Sequence, residues 1–253
     1  MNFILNLHES DEYISKHIRT NNSWEPITTE IILELLKENT PDTVFVDIGA
    51  NIGYFSMLAA SKNFPVVAFE PVEANYTLLK KSITENNFEH LILPYKILLS
   101  DKKEEVVVNV SEYNMGLCST RKLLDCDFSY SEKHMSEILD TFFGINTSNN
   151  LIIKIDVEET EKKVLYGMED TMKSGKVSHI IIENRRYDIE IFNFLRKHGF
   201  NICRNIGYTD KIIVDENTNY LKTEKYIYTL DSIESSYQQN PDNQSMMIFS
   251  KVV

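Results

Sequence analysis

Val44-Phe45-Val46-Asp47-Ile48-Gly49-Ala50-Asn51-Ile52-Gly53 decides how the rest of the chain is read. Thr43 to Val46 is a short, apolar, partly β-branched run, the pattern of a strand buried on both faces. Asp47 ends it, two glycines bracket a turn, and Ile52, Phe55, Leu58 and Ala59 then recur at helical spacing. A strand, a glycine turn and a helix in so few residues build a nucleotide-type site. The turn lets backbone come close to a ligand, and the helix start offers unpaired N–H groups.

Details of the turn choose among ligands. A dinucleotide fingerprint reads G-x-G-x-x-G, whereas here Ala50, Asn51 and Ile52 separate Gly49 from Gly53, and Asp47 stands two residues ahead. A carboxylate there repels a pyrophosphate and favours an ammonium group. S-adenosylmethionine has an ammonium, a sulfonium and no phosphate. Pro65 to Phe69 is a second apolar run, and Glu70 falls 17 residues after Gly53 (70 − 53), where an acid at a strand tip accepts hydrogen bonds from both ribose hydroxyls. Asp47, Gly49, Ala50, Asn51, Gly53 and Glu70 are thus the expected cofactor-binding residues. The competing account is an ordinary strand–helix–strand unit whose acids merely cap helices.

These residues also carry a family resemblance. Val46-Asp47-Ile48-Gly49-Ala50-Asn51-Ile52-Gly53-Tyr54, followed by Ala68-Phe69-Glu70-Pro71, resembles the FkbM family of S-adenosylmethionine-dependent methyltransferases. Leu139-Asp140-Thr141-Phe142 and Ile153-Lys154-Ile155-Asp156-Val157-Glu158 are similar to that family's later motifs, in the right order. The resemblance spans roughly residues 24 to 198. It implies an α/β fold, the Rossmann-like class I methyltransferase fold, with S-adenosyl-L-methionine as cofactor and a hydroxyl of a sugar, glycan or related small natural product as acceptor. One position departs from the family pattern. Glu159 stands where a glycine normally follows the Asp-Val-Glu triplet, and a residue with a side chain cannot take every conformation that glycine can.

Composition bounds the alternatives. At 253 residues the chain can bury a full core as one large domain with a small extension. A net charge of −12 gives no electrostatic footprint for nucleic acid or an anionic membrane surface. Cys118, Cys126 and Cys203 have no metal spacing and are too few for a disulfide framework, which points to a reducing compartment. The apolar patch Phe3 to Leu7 is too short and broken for a signal peptide or membrane span, so a cytoplasmic protein is expected.

Along the chain, residues 1–40 read as an N-terminal helical extension. Glu30 to Leu36 forms its helix, Ile27-Thr28-Thr29 could cap it, and Pro41 stops it. Trp24-Glu25-Pro26 lies ahead. In the family a comparable stretch sits near the mouth of the cofactor site, and the other account of Trp24 is a staple for the extension. Residues 41–253 then form the cofactor-binding domain, with insertions at about 104–150 and 207–243. Val72 to Asn86 is an amphipathic helix. Leu91 to Leu99 is a third strand whose Pro94 suits an edge. Ser100 and Asp101 follow it, as an adenine contact by analogy with this fold or as a plain polar turn.

In the first insertion Val106 to Val108 reads as a strand, Glu112 to Gly116 as a turn, and a weak amphipathic stretch leads to Leu139. Its aromatics Tyr113, Phe128 and Tyr130 suggest an acceptor-binding role, against a passive surface insertion. Leu151 to Val157 is the fourth strand, Val177 to Ile182 the fifth, Gly199 to Arg204 the sixth and Met246 to Val252 the last. Thr160 to Met172 and Asp188 to Lys197 are helices, and Arg185-Arg186 reads as a solvated turn. The expected architecture is a seven-stranded, mostly parallel sheet with helices on both faces and an antiparallel last strand.

Methyl transfer to oxygen needs alignment and one proton acceptor. Asp156, Glu158 and Glu183, at the ends of strands four and five, are the expected catalytic carboxylates. No metal ligands are assigned by spacing. A variant in which clustered carboxylates hold one Mg²⁺ is the first alternative. A cofactor-binding partner or sensor without turnover is the second, favoured by Glu159, and a nicotinamide oxidoreductase the third.

Overall fold

The computed structural model describes residues 2–120, 127–144, 146–147, 149–184, 188–207, 227–229 and 245–251. Helices α1 (Ile14–Asn21) and α2 (Pro26–Glu38) precede β1 (Val44–Ile48), α3 (Tyr54–Ala60), β2 (Val66–Phe69) and α4 (Glu73–Glu85). β3 (Ile92–Tyr95), β4 (Leu98–Leu99), β5 (Glu105–Val110) and β6 (Tyr130–Glu137) follow, and a 3₁₀ turn (Leu139–Thr141) leads to β7 (Leu151–Ile155). Then come α5 (Glu161–Tyr166), α6 (Glu169–Lys173), β8 (Val177–Asn184), α7 (Ile189–Lys197), β9 (Phe200–Gly207), β10 (Ile227–Thr229) and β11 (Ser245–Lys251).

Among the described residues the main sheet has eight strands in the order β10-β9-β11-β8-β7-β1-β2-β3. Its stretch from β3 to β8 is parallel, and β11 slots antiparallel between β8 and β9. This is the class I methyltransferase arrangement expected from the sequence, with β10 as an eighth strand on the edge. The remainder of the 207–243 excursion, Cys126 and Arg185-Arg186 lie outside the described residues.

Alternation along the strands sorts side chains onto two buried faces. Val44, Val46 and Ile48 of β1 join Ile153 and Ile155 of β7 and Ile180 and Ile182 of β8, packed under α5, α6 and α7. Phe45, Ile152 and Ile181 face the other way, against Ile32 and Leu36 of α2, Phe55 and Leu58 of α3, and Leu79 of α4. By the same parity Asp47 and Lys154 belong to the α2–α3 face, and their strands pair them in register.

Several boundaries differ from the sequence expectation. α2 begins at Pro26, whose fixed φ suits a first helical position, so Thr28 and Thr29 lie inside the helix instead of capping it. The expected third strand breaks after Tyr95: Ile92–Tyr95 forms the edge of the main sheet, while Leu98–Leu99 pairs with β6 in a separate sheet ordered β4-β6-β5. The stretch read as weakly amphipathic before Leu139 is strand β6, held antiparallel to β5 from Glu105↔Met135 to Val110↔Tyr130. The helix expected over Thr160 to Met172 is two short helices meeting at Gly167. A Cβ there would lie 2.0 Å from the Ser100 carbonyl oxygen, so the chain can pass only as glycine. Asp140 braces this junction, its carboxylate accepting from the N–H groups of Asp170 (2.9 Å) and Thr171 (2.7 Å).

Candidate active site

The turn after β1 crosses the end of β7 at contact distance. Gly49 has φ 76°, and a Cβ on it would stand 1.8 Å from the Asp156 carbonyl oxygen. Gly53 has φ 89° and leaves no room for a Cβ beside Leu79, 2.3 Å away. Gly49 is therefore required by the backbone packed against it, whereas at Gly53 the left-handed φ favours glycine and the close atom is the movable end of the Leu79 side chain. Ala50 is buried between them, and its N–H, like that of Gly49, donates to the Phe69 carbonyl at 3.0 Å. Asn51 takes φ 53°, a conformation asparagine tolerates, with its Oδ1 accepting from Ile52 N–H and its Nδ2 donating to Met115 O.

Glu70 joins this turn from β2. Its Oε2 accepts from Asn51 N–H (2.9 Å), and its Oε1 accepts from Val72 N–H (3.0 Å) and Asn75 Nδ2 (3.3 Å). Burial pushes the carboxyl up to about 7, against the pull of these donors. Each carboxylate oxygen has two acceptor sites, so one, on Oε2, remains for a ligand hydroxyl, where the sequence expectation was acceptance from both. Glu70 lines a cavity of about 60 Å³ together with Ile97, Leu98, Leu99, Val108 and Cys118. The Cys118 thiol, pushed upward by burial, donates to Met115 O and was not singled out from the sequence as a site residue.

A second cavity of about 220 Å³ adjoins the first, and Gly49, Asn51, Gly116, Asp156 and Glu158 line both. Its remaining walls include Trp24 and Glu25 from the N-terminal segment, Tyr54 and Phe55 of α3, and Lys154 and Glu183. One carboxylate oxygen from each of Asp156, Glu158 and Glu183 lies within 4.8 Å of the others. The structure thus brings the three expected catalytic acids together.

Asp47 stands elsewhere. It is wholly buried, its Oδ2 accepts from Ser56 Oγ (2.7 Å), and its Oδ1 lies 3.9 Å from Lys154 Nζ. It lines neither cavity. Lys154 is the residue that sequence reasoning missed. Its Nζ is 3.2 Å from Asp156 Oδ2 and 5.1 Å from the centre of the Phe55 ring. Burial by itself would lower its pKa, but Asp156, Asp47 and Glu25 together hold it well above the ordinary lysine value. Its position inside an otherwise apolar strand was the available signal. Ser100 and Asp101 also line neither cavity; Ser100 is buried and its Oγ donates to Asp101 Oδ1 at 3.1 Å.

The first insertion reaches the cavities through Asn114, Gly116, Leu117, Cys118 and Thr120, while Tyr113 and Tyr130 are exposed. At the departure from the family pattern, Glu159 has φ 71° and Glu158 φ 54°, so the turn takes the left-handed conformation without glycine. Buried Glu161 holds it there, its Oε1 accepting from Val157 N–H and Glu159 N–H, both at 3.2 Å. The feature that favoured a sensor without turnover therefore leaves the glycine-type turn in place. No helix among the described residues is long and apolar enough to cross a membrane.

The profile of the methyltransferase FkbM domain matches residues 47–202. The AMB antimetabolite synthetase AmbE of Pseudomonas aeruginosa is 27% identical over 209 residues, covering 64% of this chain and 10% of that protein. The chain thus spans about a tenth of the length of this relative. Similar solved structures include precorrin-6y C5,15-methyltransferase from Geobacter metallireducens, with 10% identity, TM-score 0.46, and coverage of 98% of this chain and 94% of that one. Another is magnesium protoporphyrin IX methyltransferase from Synechocystis PCC 6803 with bound SAM, with 12% identity, TM-score 0.46, and coverage of 95% and 85%.

Proposed function

The chain belongs to the FkbM family of methyltransferases, and from that premise we propose that it methylates a hydroxyl of a sugar, glycan or related small natural product. The residues present suit the family's donor, S-adenosylmethionine. Glu70 Oε2 offers an acceptor site to a ribose hydroxyl, and apolar Ile97, Leu98, Leu99 and Val108 share its cavity as a base-sized wall. The bound donor supplies a methyl group made electrophilic by its sulfonium.

The cluster of Asp156, Glu158 and Glu183 carries the reading. These acids stand beside the glycine turn in the larger cavity, where a hydroxyl acceptor meets several carboxylate oxygens and the rings of Tyr13 and Trp24. As the acceptor oxygen gains the methyl it loses a proton, and in this reading Glu158 takes it or orients the hydroxyl, with Asp156 and Glu183 as the other candidate bases. The test is methyl release over a panel of glycans and hydroxylated small molecules, with Glu158→Gln as the control. That variant should keep cofactor affinity and turn over roughly 10²-fold more slowly. Methylation confined to amines, or a wild-type rate in the variant, would remove this assignment.

A second reading has its own observation. Three carboxylate oxygens within 4.8 Å of one another match the reach of one divalent cation, with Asp156, Glu158 and Glu183 as ligands. Loss of activity in EDTA, restored by Mg²⁺, supports it, and full activity in EDTA removes it.

A further inference from the structure

The ammonium-binding carboxylate that the sequence places at Asp47 is not available there, since both Asp47 oxygens point at Ser56 and Lys154 inside the α2–α3 face. A different acid occupies the cavity wall. Glu25 stands 22 residues ahead of Asp47 (47 − 25), ahead of the residues 47–202 that the domain profile matches, and lines the larger cavity with Gly49, Ala50 and Asn51.

One feature of Glu25 calls for a ligand, and a strained backbone holds the residue in place. Its Oε2 is closed to solvent and has no hydrogen-bond partner among the described residues, a costly state for a carboxylate oxygen. Its backbone adopts φ 39° and ψ 74°, a left-handed conformation for a residue with a side chain, held just ahead of Pro26. The electrostatics agree: burial and the charge of Asp156 push the carboxyl upward, against the pull of Lys154 and of hydrogen bonds from Thr28 and Trp24 to the carboxylate. A second cation in this cavity would relieve both the burial and the repulsion.

We propose that Glu25 receives the α-ammonium of the donor's methionyl group, so that the N-terminal segment completes the cofactor site. The inference rests on the cofactor reading above. With a ribose hydroxyl at Glu70 in the smaller cavity, the amino-acid end extends past Gly49 and Asn51, which line both cavities, into the one that holds Glu25. The ammonium donates to Glu25 Oε2 in a charge-assisted hydrogen bond, and no covalent step is involved.

Calorimetry on the full chain tests it with two probes, S-adenosylhomocysteine and its analogue lacking the α-amino group. The wild type should bind S-adenosylhomocysteine more tightly. Glu25→Gln should weaken that binding by roughly 10-fold or more and leave the affinity for the desamino analogue within about twofold. Equal losses for both probes, or no loss for either, would overturn the proposal, and the second result would send the ammonium to another carboxylate. Should Glu25→Gln fail to fold by circular dichroism, Glu25→Asp decides, since a carboxylate drawn back from the ammonium should lose affinity for S-adenosylhomocysteine alone, and equal affinity of the wild type for the two probes overturns the proposal without either variant. Failure of the wild type to bind S-adenosylhomocysteine at all would instead strike the cofactor reading, and this inference with it.

Discussion

Lys154 Nζ lies 3.2 Å from Asp156 Oδ2, so a wholly buried ammonium steadies a carboxylate at the open end of β7. The same Nζ is 3.9 Å from buried Asp47, which ties the ends of β7 and β1 together electrostatically. One cation thus answers acids from two neighbouring strands, and the strand register sets Asp47 directly opposite it.

Removing that cation should destabilise the fold. Lys154→Met keeps the length of the side chain and its contact with Phe55 but leaves Asp47 buried without a counter-charge. The expected loss is about 3–5 kcal/mol, the usual result of stranding one member of a buried pair. Urea unfolding measures it, and a change near zero would mean that Asp47 is neutral in the fold.

The glycine turn offers a matched comparison. Gly49 and Gly175 share a left-handed φ, 76° and 75°, but a Cβ meets the Asp156 carbonyl at 1.8 Å at Gly49 and nothing within 4 Å at Gly175. Gly175→Ala should cost about 1–2 kcal/mol, the conformational penalty alone. Gly49→Ala adds overpacking against backbone and should cost roughly 2–5 kcal/mol. Equal losses in denaturant melts would mean that the turn relaxes away from Asp156.

Glu159→Gly should stabilise the protein. Glu159 pays for a left-handed φ of 71°, worth about 1–2 kcal/mol, whereas glycine adds unfolded-state entropy of about 0.5–1 kcal/mol. The net gain expected is roughly 0.5–1 kcal/mol, with methyl transfer retained because the turn keeps its shape. A less stable variant would show that the Glu159 side chain contributes more than its backbone costs.

Glu70 predicts a pH dependence with a definite sign. Burial raises its carboxyl from 4.5 to about 7. Below 4.5 the group is protonated in both states. Between 4.5 and about 7 the folded state binds the extra proton, so its contribution to apo stability is lost as pH rises through that window. Glu161, also raised to about 7 by burial, adds a loss of the same sign. A ribose hydroxyl donates to the ionised form, so S-adenosylhomocysteine should bind more tightly as pH rises through about 7. Titration calorimetry of wild type and Glu70→Gln checks this, and the same pH dependence in both would place the titrating group elsewhere.

Much of this architecture is legible locally. Buried β-branched runs, a turn with two glycines and an acid after the next run specify a parallel sheet with a ligand cleft at its strand ends, since periodicity and turn chemistry act over neighbouring residues. Glu70 is readable for the same reason, one strand and one helix from the turn. The three acids Asp156, Glu158 and Glu183 could be named from strand ends, and folding β7 beside β8 brings them together.

The roles of Asp47 and Glu25 belong to the tertiary structure alone. Alternation sends Asp47 to one face of β1, but only pairing with β7 decides that Lys154 awaits it there, 107 residues later (154 − 47). The break of the third strand, the strand β6 and the orphaned Glu25 oxygen have the same origin. Each depends on which distant segment supplies a hydrogen-bond partner, or withholds one, and local propensity carries no term for that.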